Sequence, residues 1–485
     1  MAQSDHISRR RLLFTAGGGI SGLALANLLG QDGLLAAPEG GPACLAGLAG
    51  GASAAPHQPH FKPRAKAVIS LFMTGGVSHI DTFDPKPALR KYHGQPLTGF
   101  GDIVVRQGYP GPVMGSPYSF KKYGQSGIEI SELFPNIGSI MDDIALVRSG
   151  FGISNDHVLA HYEWNTGSLL MGFPSVGSWV TYGLGSENQN LPSFVVLYDH
   201  RGGPNAGIAN WSNGYLPAAY QGTVFRPSGD PILDLHPPAG VAPERQRARL
   251  DHLAKLNEEH ATRYPGSSEL AARISSYELA YRMQTCAPEA VDISKESDAT
   301  RQLYGIDDAV TEPFGKQCLL ARRLVERGVR FVQLFNGAKA KENVDDWDAH
   351  SNLTDNHSAH ARETDKPIAG LIRDLKQRGL LDDTLVIWHS EFGRMPISQR
   401  GVGRDHNPGA MSFWMAGAGI RGGQVIGSSD DFGYKAAEQP VSYHDVHATI
   451  LHLLGMDHKR LTYLFNGRQM RLTDVHGALI PQIVA

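Results

Sequence analysis

Residues 384–408 read T-L-V-I-W-H-S-E-F-G-R-M-P-I-S-Q-R-G-V-G-R-D-H-N-P, a short apolar run that leads into a long polar loop. The apolar run lacks polar alternation, which is typical of a parallel strand buried on both faces. Glu391 follows the carboxyl end of this strand, and the loop later returns with Arg404, Asp405 and His406. Ligands of open α/β sheets bind beyond the carboxyl ends of the strands. The loop therefore either caps the sheet or holds a metal ion and an anionic group.

Further apolar runs predict strands of the same sheet, and amphipathic segments between them predict helices. The predicted strands are 66–73, 144–148, 192–198, 329–335 and 412–416, and the helices that alternate with them include 314–326, 360–378 and 442–454. This alternation indicates an α/β fold with a doubly wound, mostly parallel sheet flanked by helices. Residues 243–300 are charged and favour helix, so we expect a helical insertion with a solvated charged face.

Polar side chains follow the first two of these strands directly. His79 and Asp81 come after the first strand and lie on one side of any extended segment. They either belong to a metal or oxyanion site or form a turn held by side-chain hydrogen bonds. His157 and His161 follow the second strand and share a face if that segment is helical. Histidines at this spacing are either metal ligands or, more commonly, ordinary polar contacts.

A carboxylate and an imidazole also follow the strand at 329–335. Asp348 and His350 stand side by side there, a spacing suited to a shared cation. Asp346 is the alternative partner of His350 if the backbone turns helical at that point. Because ligands collect beyond the carboxyl ends of parallel strands, we expect this pair to lie near Glu391.

Composition narrows the class of protein. The chain has 485 residues, which allows one large α/β domain with insertions or two smaller domains. Its net charge of -3 leaves no general basic field for binding nucleic acid. The three cysteines provide neither a disulfide framework nor a Cys-rich zinc site.

The amino terminus carries an export pattern. Ser8-Arg9-Arg10-Arg11 followed by two leucines matches a twin-arginine signal, which predicts recognition by the twin-arginine translocation machinery. The following segment, 14–29, is too short and too weakly apolar to predict a stable membrane span. We therefore expect residues 1–54 to be signal peptide and linker, residues 60–485 to be the folded domain, and the protein to be periplasmic or secreted. A cytoplasmic protein with a chance run of arginines is the alternative.

Six short motifs, in this order along the chain, resemble those of a known family. The motifs are M-T-G-G-V-S-H-I-D-T-F-D-P-K-P (73–87), N-T-G-S (165–168), W-D-A-H (347–350), E-F-G-R-M-P (391–396), G-R-D-H (403–406) and L-T-D-V-H-G (472–477). They resemble the family called domain of unknown function 1501. Such proteins are similar to the alkaline phosphatase and sulfatase superfamily, whose members hydrolyse phosphate or sulfate esters at one or two metal ions.

The resemblance implies a set of metal ligands at the strand ends. The superfamily's first metal carboxylate follows the first strand, where Thr74-Gly75 stands here, so His79 and Asp81 are its possible substitutes. A divalent ion, Zn, Mn or Ca, suits nitrogen and oxygen ligands of these kinds. The full set of expected metal ligands is His79, Asp81, Asp348, His350, Glu391, Asp405 and His406.

The resemblance departs from a sulfatase at the nucleophile. The sulfatase signature begins with a cysteine nine residues before a Thr-Gly pair, and the residue nine before Thr166 is His157. We therefore expect a hydrolase of small-molecule or polysaccharide esters without a formylglycine cysteine. In it His157 acts as nucleophile or general acid/base, and Arg394 and Arg404 clamp the anionic group. The alternative is an exported binding protein that retains the fold without catalysis.

Overall fold

The computed structural model describes residues 57–232, 241–263, 268–338 and 346–484. The expected signal peptide and linker, residues 1–54, lie outside this range. The described residues all belong to one compact unit that extends from Ala52 to Ala485. Among the described helices, none combines the length and the apolar character that a membrane crossing needs.

A mixed sheet of nine described strands forms the centre of the unit. Together with the strands of four separate two-stranded sheets, the described strands are β1 (Ala67–Met73), β2 (Phe120–Tyr123), β3 (Ile128–Ser131), β4 (Ile144–Phe151), β5 (Phe194–Leu197), β6 (Thr223–Phe225), β7 (Phe331–Asn336), β8 (Thr384–His389), β9 (Gly393–Arg394), β10 (His406–Asn407), β11 (Met411–Gly417), β12 (Gln424–Ile426), β13 (Ser428–Ser429), β14 (Ala436–Glu438), β15 (Val441–Ser442), β16 (Tyr463–Phe465) and β17 (Arg468–Met470). The central sheet has the order β12-β4-β11-β8-β1-β7-β5-β6, and β15 also pairs with β4. Its pairings are parallel except for the two that β11 makes, with β4 and with β8.

Helices cover both faces of this sheet. The α-helices are His79–Thr82, Pro87–Lys91, Pro135–Gly138, His157–Thr166, Val176–Leu184, Pro243–Arg263, Ser268–Val291, Asp298–Tyr304, Glu312–Glu326, Leu353–Gln377, Tyr443–Leu453 and Pro481–Val484. Short 3-10 helices are Met141–Asp143, Gly207–Trp211, Ala218–Tyr220 and Ile293–Lys295. Alternate residues of β1 enter opposite cores: Ile69 and Leu71 pack with helices Glu312–Glu326 and Leu353–Gln377, whereas Val68 and Phe72 pack with Tyr443–Leu453. The doubly wound, mostly parallel α/β architecture is thus confirmed.

The predicted elements differ from the observed ones mainly at their ends. The helix predicted to start at His360 starts earlier, at Leu353, and both His357 and His360 are buried in it. Ser442 caps the helix Tyr443–Leu453, and Asp445 completes a reciprocal capping box with it. Two long helices, Pro243–Arg263 and Ser268–Val291, occupy much of the segment 243–300.

The topology brings several strand ends to one edge. Because β11 is antiparallel to both of its neighbours, β4 and β8 run in the same direction as β1 and β7. The carboxyl ends of these four strands therefore lie at the same edge of the sheet. The loops after β1 and β7 approach closely there, since a Cβ on Gly75 would lie 2.5 Å from the backbone nitrogens of Trp347 and Asp348. Gly75 also has a φ of +108°, which glycine adopts without strain.

Candidate metal centre

Side chains from several strand ends meet at this edge in two adjoining groups. His157 begins the helix after β4, where the N-cap residue Asp156 accepts hydrogen bonds from the next backbone nitrogens. Asp348 and His350 come from the segment after β7, and Glu391 follows β8. A two-residue strand pair, β9 with β10, returns the chain to the same place. The candidate ligand atoms within each group lie within 4.8 Å of one another.

The outer group is centred on Asp348. Its Oδ1 lies 3.0 Å from Nε2 of His350 and 3.3 Å from Nε2 of His406. Its Oδ2 lies 3.3 Å from Nε2 of His157. The outer group thus consists of one carboxylate and three imidazoles that face a common point.

The inner group is centred on Glu391, whose side chain is fully buried. Oε1 lies 2.7 Å from Nδ1 of His157 and 3.2 Å from Nε2 of His161. The backbone nitrogen of Gly75 donates to both carboxylate oxygens, at 2.8 and 3.1 Å, and Ser390 Oγ lies 2.9 Å from Oε2. The inner group thus consists of one carboxylate and two imidazoles.

A second layer of contacts orients the histidines of the outer group. Nδ1 of His406 donates to the carbonyl oxygen of Asn155 at 2.7 Å, and Nδ1 of His350 contacts Oε1 of Gln399. Each ring therefore turns Nε2 towards Asp348. Metal-bound histidines are held in the same way, by a hydrogen bond at the ring nitrogen remote from the ion.

The ionisable side chains of the centre strongly shift one another's pKa values. Burial opposes ionisation of Asp348, but Arg394 and hydrogen bonds from the histidines hold the pKa of this carboxyl well below its usual range. Burial likewise opposes ionisation of Glu391, and its attraction to His161 and His157 keeps its pKa low. Burial favours the neutral ring of His157, yet the hydrogen bonds to Asp348 and Glu391 prevail and raise its pKa to about 10. Burial lowers the pKa of His406 to about 4. Without a metal ion, a protonated His157 bridges two carboxylates.

The donor set fits a divalent cation. Both ring nitrogens of His161 are buried without a hydrogen-bond partner in the described residues, although Nε2 faces Glu391. Buried polar atoms nearly always have a partner, and imidazole nitrogens beside carboxylates are the usual ligands of zinc and its neighbours.

Two residues expected as metal ligands, His79 and Asp81, lie elsewhere. They sit in the short helix His79–Thr82 rather than in an extended segment, so they do not share a side as predicted. Asp81 pairs with Arg404, whose Nε is 2.7 Å from Oδ2. Nε2 of His79 donates to the carbonyl oxygen of Gly433 at 2.9 Å.

Asp405 stands behind the outer group rather than in it. It accepts hydrogen bonds from the backbone nitrogens of Gln107, at 3.0 Å, and His406, at 2.9 Å. Its Oδ1 lies 3.6 Å from Nδ1 of His350, the nitrogen that points away from Asp348. Asp405 therefore braces two of the histidines.

The two arginines expected to clamp an anion are fully buried and occupied by the protein itself. Arg394 donates to the carbonyl oxygens of Gly75 and Gly76 and, at 2.7 Å, to Oδ1 of Asp348. Arg404 donates to Asp81 and to the carbonyl oxygen of Met114. Arg394 thus positions Asp348 and the turn after β1, and Arg404 holds Asp81.

His161 is a member of the centre that is missing from the set of ligands expected from the sequence. The four-residue spacing from His157 was the available signal, and the helix His157–Thr166 does place both rings on one face. What the spacing could not supply is Glu391, which lies between the two rings and comes from a distant strand.

Comparison with known proteins places the chain in a family. A family model described as "Protein of unknown function (DUF1501)" matches residues 65–484. The chain belongs to the DUF1501 family. The resemblance drawn from the six motifs is thereby confirmed. A comparison of this DUF1501 chain with curated proteins finds no match.

Solved structures resemble the DUF1501 chain loosely. The lipoteichoic acid synthase LtaP from Listeria monocytogenes is similar with a TM-score of 0.35 and 10% identity, over 85% of this chain and 76% of that one. The PsFucS1 sulfatase from Pseudoalteromonas sp. is similar with a TM-score of 0.33 and 13% identity, over 86% of this chain and 72% of that one. A TAB5 alkaline phosphatase variant with Mg bound is similar with a TM-score of 0.34 and 10% identity, over 82% of this chain and 99% of that one.

Proposed function

We propose that this chain is an exported, metal-dependent hydrolase of phosphate or sulfate esters that works without a formylglycine cysteine. The observation that carries the proposal is the pair of ligand groups around Asp348 and Glu391, at the carboxyl edge of a mostly parallel sheet. A divalent ion bound there supplies Lewis-acid stabilisation of ester oxygens and a more acidic water. The expected substrates are small-molecule or polysaccharide esters.

Zinc suits the centre better than calcium does. The outer group offers three imidazoles and one carboxylate, and the inner group two imidazoles and one carboxylate. Calcium prefers six to eight oxygen ligands, whereas imidazole favours zinc and related transition metals.

We propose a reaction without formylglycine because of the residue at the candidate nucleophile position. His157 stands there and carries an imidazole in place of a thiol or hydroxyl. Within the described side chains, the free cysteine Cys318 is buried in the core that packs on helix Glu312–Glu326. It is thus part of the hydrophobic packing.

Export by the twin-arginine route is supported by the motif around Arg9 and Arg10. That route carries folded proteins, in keeping with a ligand set that only the folded chain assembles. Replacing both arginines by lysine should retain the protein in the cytoplasm, as measured by cell fractionation. Unchanged periplasmic yield of the lysine variant would refute export by this route.

Hydrolysis is tested on purified protein whose metal content has been measured by mass spectrometry. Nitrophenyl phosphate, nitrophenyl sulfate and sulfated polysaccharide are assayed with added Zn or Mn. We expect bound metal and turnover of at least one ester class, and in Asp348→Asn the loss of turnover and of the metal held by the outer group. The control Asp251→Asn removes an exposed helix carboxylate that pairs with Arg247 and should change neither. Stoichiometric metal without turnover of any ester would overturn the enzymatic proposal.

A non-catalytic exported binding protein is the second candidate. It is favoured by His157, whose two ring nitrogens both face carboxylates. Such a ring has no lone pair directed at a substrate. For this candidate we expect calorimetric binding of inorganic phosphate or sulfate to the metal-loaded protein, with no ester turnover.

A further inference from the structure

His157 belongs to both ligand groups found in the described residues. Its Nε2 faces the outer group, 3.3 Å from Asp348 Oδ2, and its Nδ1 faces the inner group, 2.7 Å from Glu391 Oε1. The two nitrogens of an imidazole point to different sides of the ring. One histidine therefore presents a different ring nitrogen to each group.

The ring of His157 is held in this orientation from several sides. It lies edge-on to the ring of His406, with the centroids 4.3 Å apart, and 5.1 Å from the ring of Phe392. Its backbone is fixed at the start of a capped helix. A side chain held in this way is poorly placed to swing towards a substrate as nucleophile or base.

The carboxylates on either side are held by different donors. Glu391 is held by the backbone nitrogen of Gly75 and lies beside Ser390 Oγ, whereas Asp348 is held by Arg394. Arg394 also donates to the carbonyl oxygen of Gly75, so the turn after β1 fixes the position of one group relative to the other. His157 connects them.

We propose that His157 is a bridging ligand whose imidazolate joins two metal ions. One ion is held with Asp348, His350 and His406, and the other with His161 and Glu391. Each bond from a ring nitrogen to a metal replaces a proton on that nitrogen, and both protons pass to the solvent. The inference rests on the metal binding that the proposed function requires, and it gives His157 a ligand role in place of a nucleophilic one.

His161 provides the independent indication of an inner ion. Its side chain is fully buried and neither ring nitrogen has a hydrogen-bond partner in the described residues, yet Nε2 is 3.2 Å from Glu391 Oε1. Stacking on Phe72, with the ring centroids 4.6 Å apart, fixes the plane of the ring. A buried imidazole aimed at a carboxylate without a hydrogen bond has the arrangement of a ligand.

Copper provides the test, because Cu²⁺ binds nitrogen-rich sites most tightly among the first-row divalent ions and its unpaired electron reports on bridging. The metal-free full chain is titrated with Cu²⁺ and followed by electron paramagnetic resonance without substrate. We expect two ions to bind and, at the second equivalent, the signal of isolated Cu²⁺ to fall as the spins couple through the imidazolate. Two bound ions with uncoupled spectra, or a single bound ion, would overturn the bridge.

Single substitutions test which residues hold each of the two ions. His161→Ala and His350→Ala should each leave one tightly bound Cu²⁺ with an isolated signal, and His157→Gln should abolish the coupling. His252→Ala, an exposed histidine of helix Pro243–Arg263, should retain the coupled spectrum. Persistent coupling in His157→Gln would also overturn the bridge, and circular dichroism checks the fold of each variant. A coupled spectrum without ester turnover refutes the hydrolase alone, and turnover with uncoupled ions refutes the bridge alone.

Discussion

Arg404 Nε lies 2.7 Å from Asp81 Oδ2, and neither side chain is exposed to solvent. Nη2 of the same guanidinium lies 3.1 Å from Oδ1, so the pair is bidentate. Both residues are expected from the sequence to serve the site, one as ligand and one as anion clamp. They instead neutralise each other beneath it, and their contribution is to the folded state.

Asp81→Asn should therefore destabilise the fold without emptying the metal centre. Removing one partner of a buried ion pair leaves an uncompensated charge and costs about 3–5 kcal/mol. Denaturant unfolding measures the loss of stability, and mass spectrometry measures metal per folded chain. The double variant Asp81→Leu with Arg404→Met removes both charges and should recover part of the stability. Loss of metal at unchanged stability would contradict this role.

Arg394→Lys should weaken metal binding by roughly 10- to 100-fold, the usual effect of losing a residue that orients a ligand. Lysine keeps the charge but lacks the fork that contacts Asp348 and the carbonyl oxygens of Gly75 and Gly76 together. Metal titration with a competing chelator gives the affinity. If Arg394 clamped the substrate instead, KM would rise while metal affinity stayed the same.

Metal affinity should fall as the pH falls, by about tenfold per unit between pH 6 and 9 for the first ion, because binding displaces one proton. The reason is that His157, with a pKa of about 10 in the metal-free protein, is protonated throughout this range. His406, with a pKa of about 4, is already neutral there and adds no slope. Chelator competition across this range measures the dependence. His157→Gln should bind more weakly with a flatter profile, and an equally steep profile in that variant would refute the assignment.

Gly75→Ala should lower both stability and metal content. The new Cβ would meet the backbone nitrogens of Trp347 and Asp348 at 2.5 Å and push the outer group aside. Gly94→Ala is the matched control, because Gly94 also has a positive φ but a Cβ there meets nothing within 4 Å. The control should cost only the backbone strain, about 1–2 kcal/mol, and retain the metal. Equal losses in the two variants would show that the close approach of the loops is unimportant.

The sequence predicts β1, β4, β5, β7, β8 and β11 of the central sheet because each contains an apolar run, whereas the short strands β6, β12 and β15 are not predicted. The run at 384–388 is β8, and the polar residues that follow it, from Glu391 to His406, do converge with Asp348 and His350. The local pattern locates the carboxyl ends of these strands approximately, and the parallel topology brings those ends to one edge of the sheet.

The expected site residues that lie outside the centre are ones whose backbone conformation or burial the local sequence does not determine. His79 and Asp81 share a side only in an extended chain, whereas in the helix that forms they are about 200° apart at 3.6 residues per turn. Arg394 and Arg404 occur in a glycine-rich loop, where arginine is ordinarily solvated. Their complete burial depends on carbonyl groups and a carboxylate from distant segments, which no local pattern identifies.

The contact between His157 and Glu391 joins residues 234 positions apart in the chain. β8, which carries Glu391, is flanked on one side by β1 and on the other by β11, and β11 in turn pairs with β4. During synthesis, β1 and β4 therefore cannot be joined in one sheet until β8 and β11 have been made. Contacts between residues so distant in sequence form slowly. An ion that needs both residues has no binding site on a nascent or truncated chain. A metal ion held between these residues would therefore be captured only after β8 has been synthesised and has paired with its neighbours.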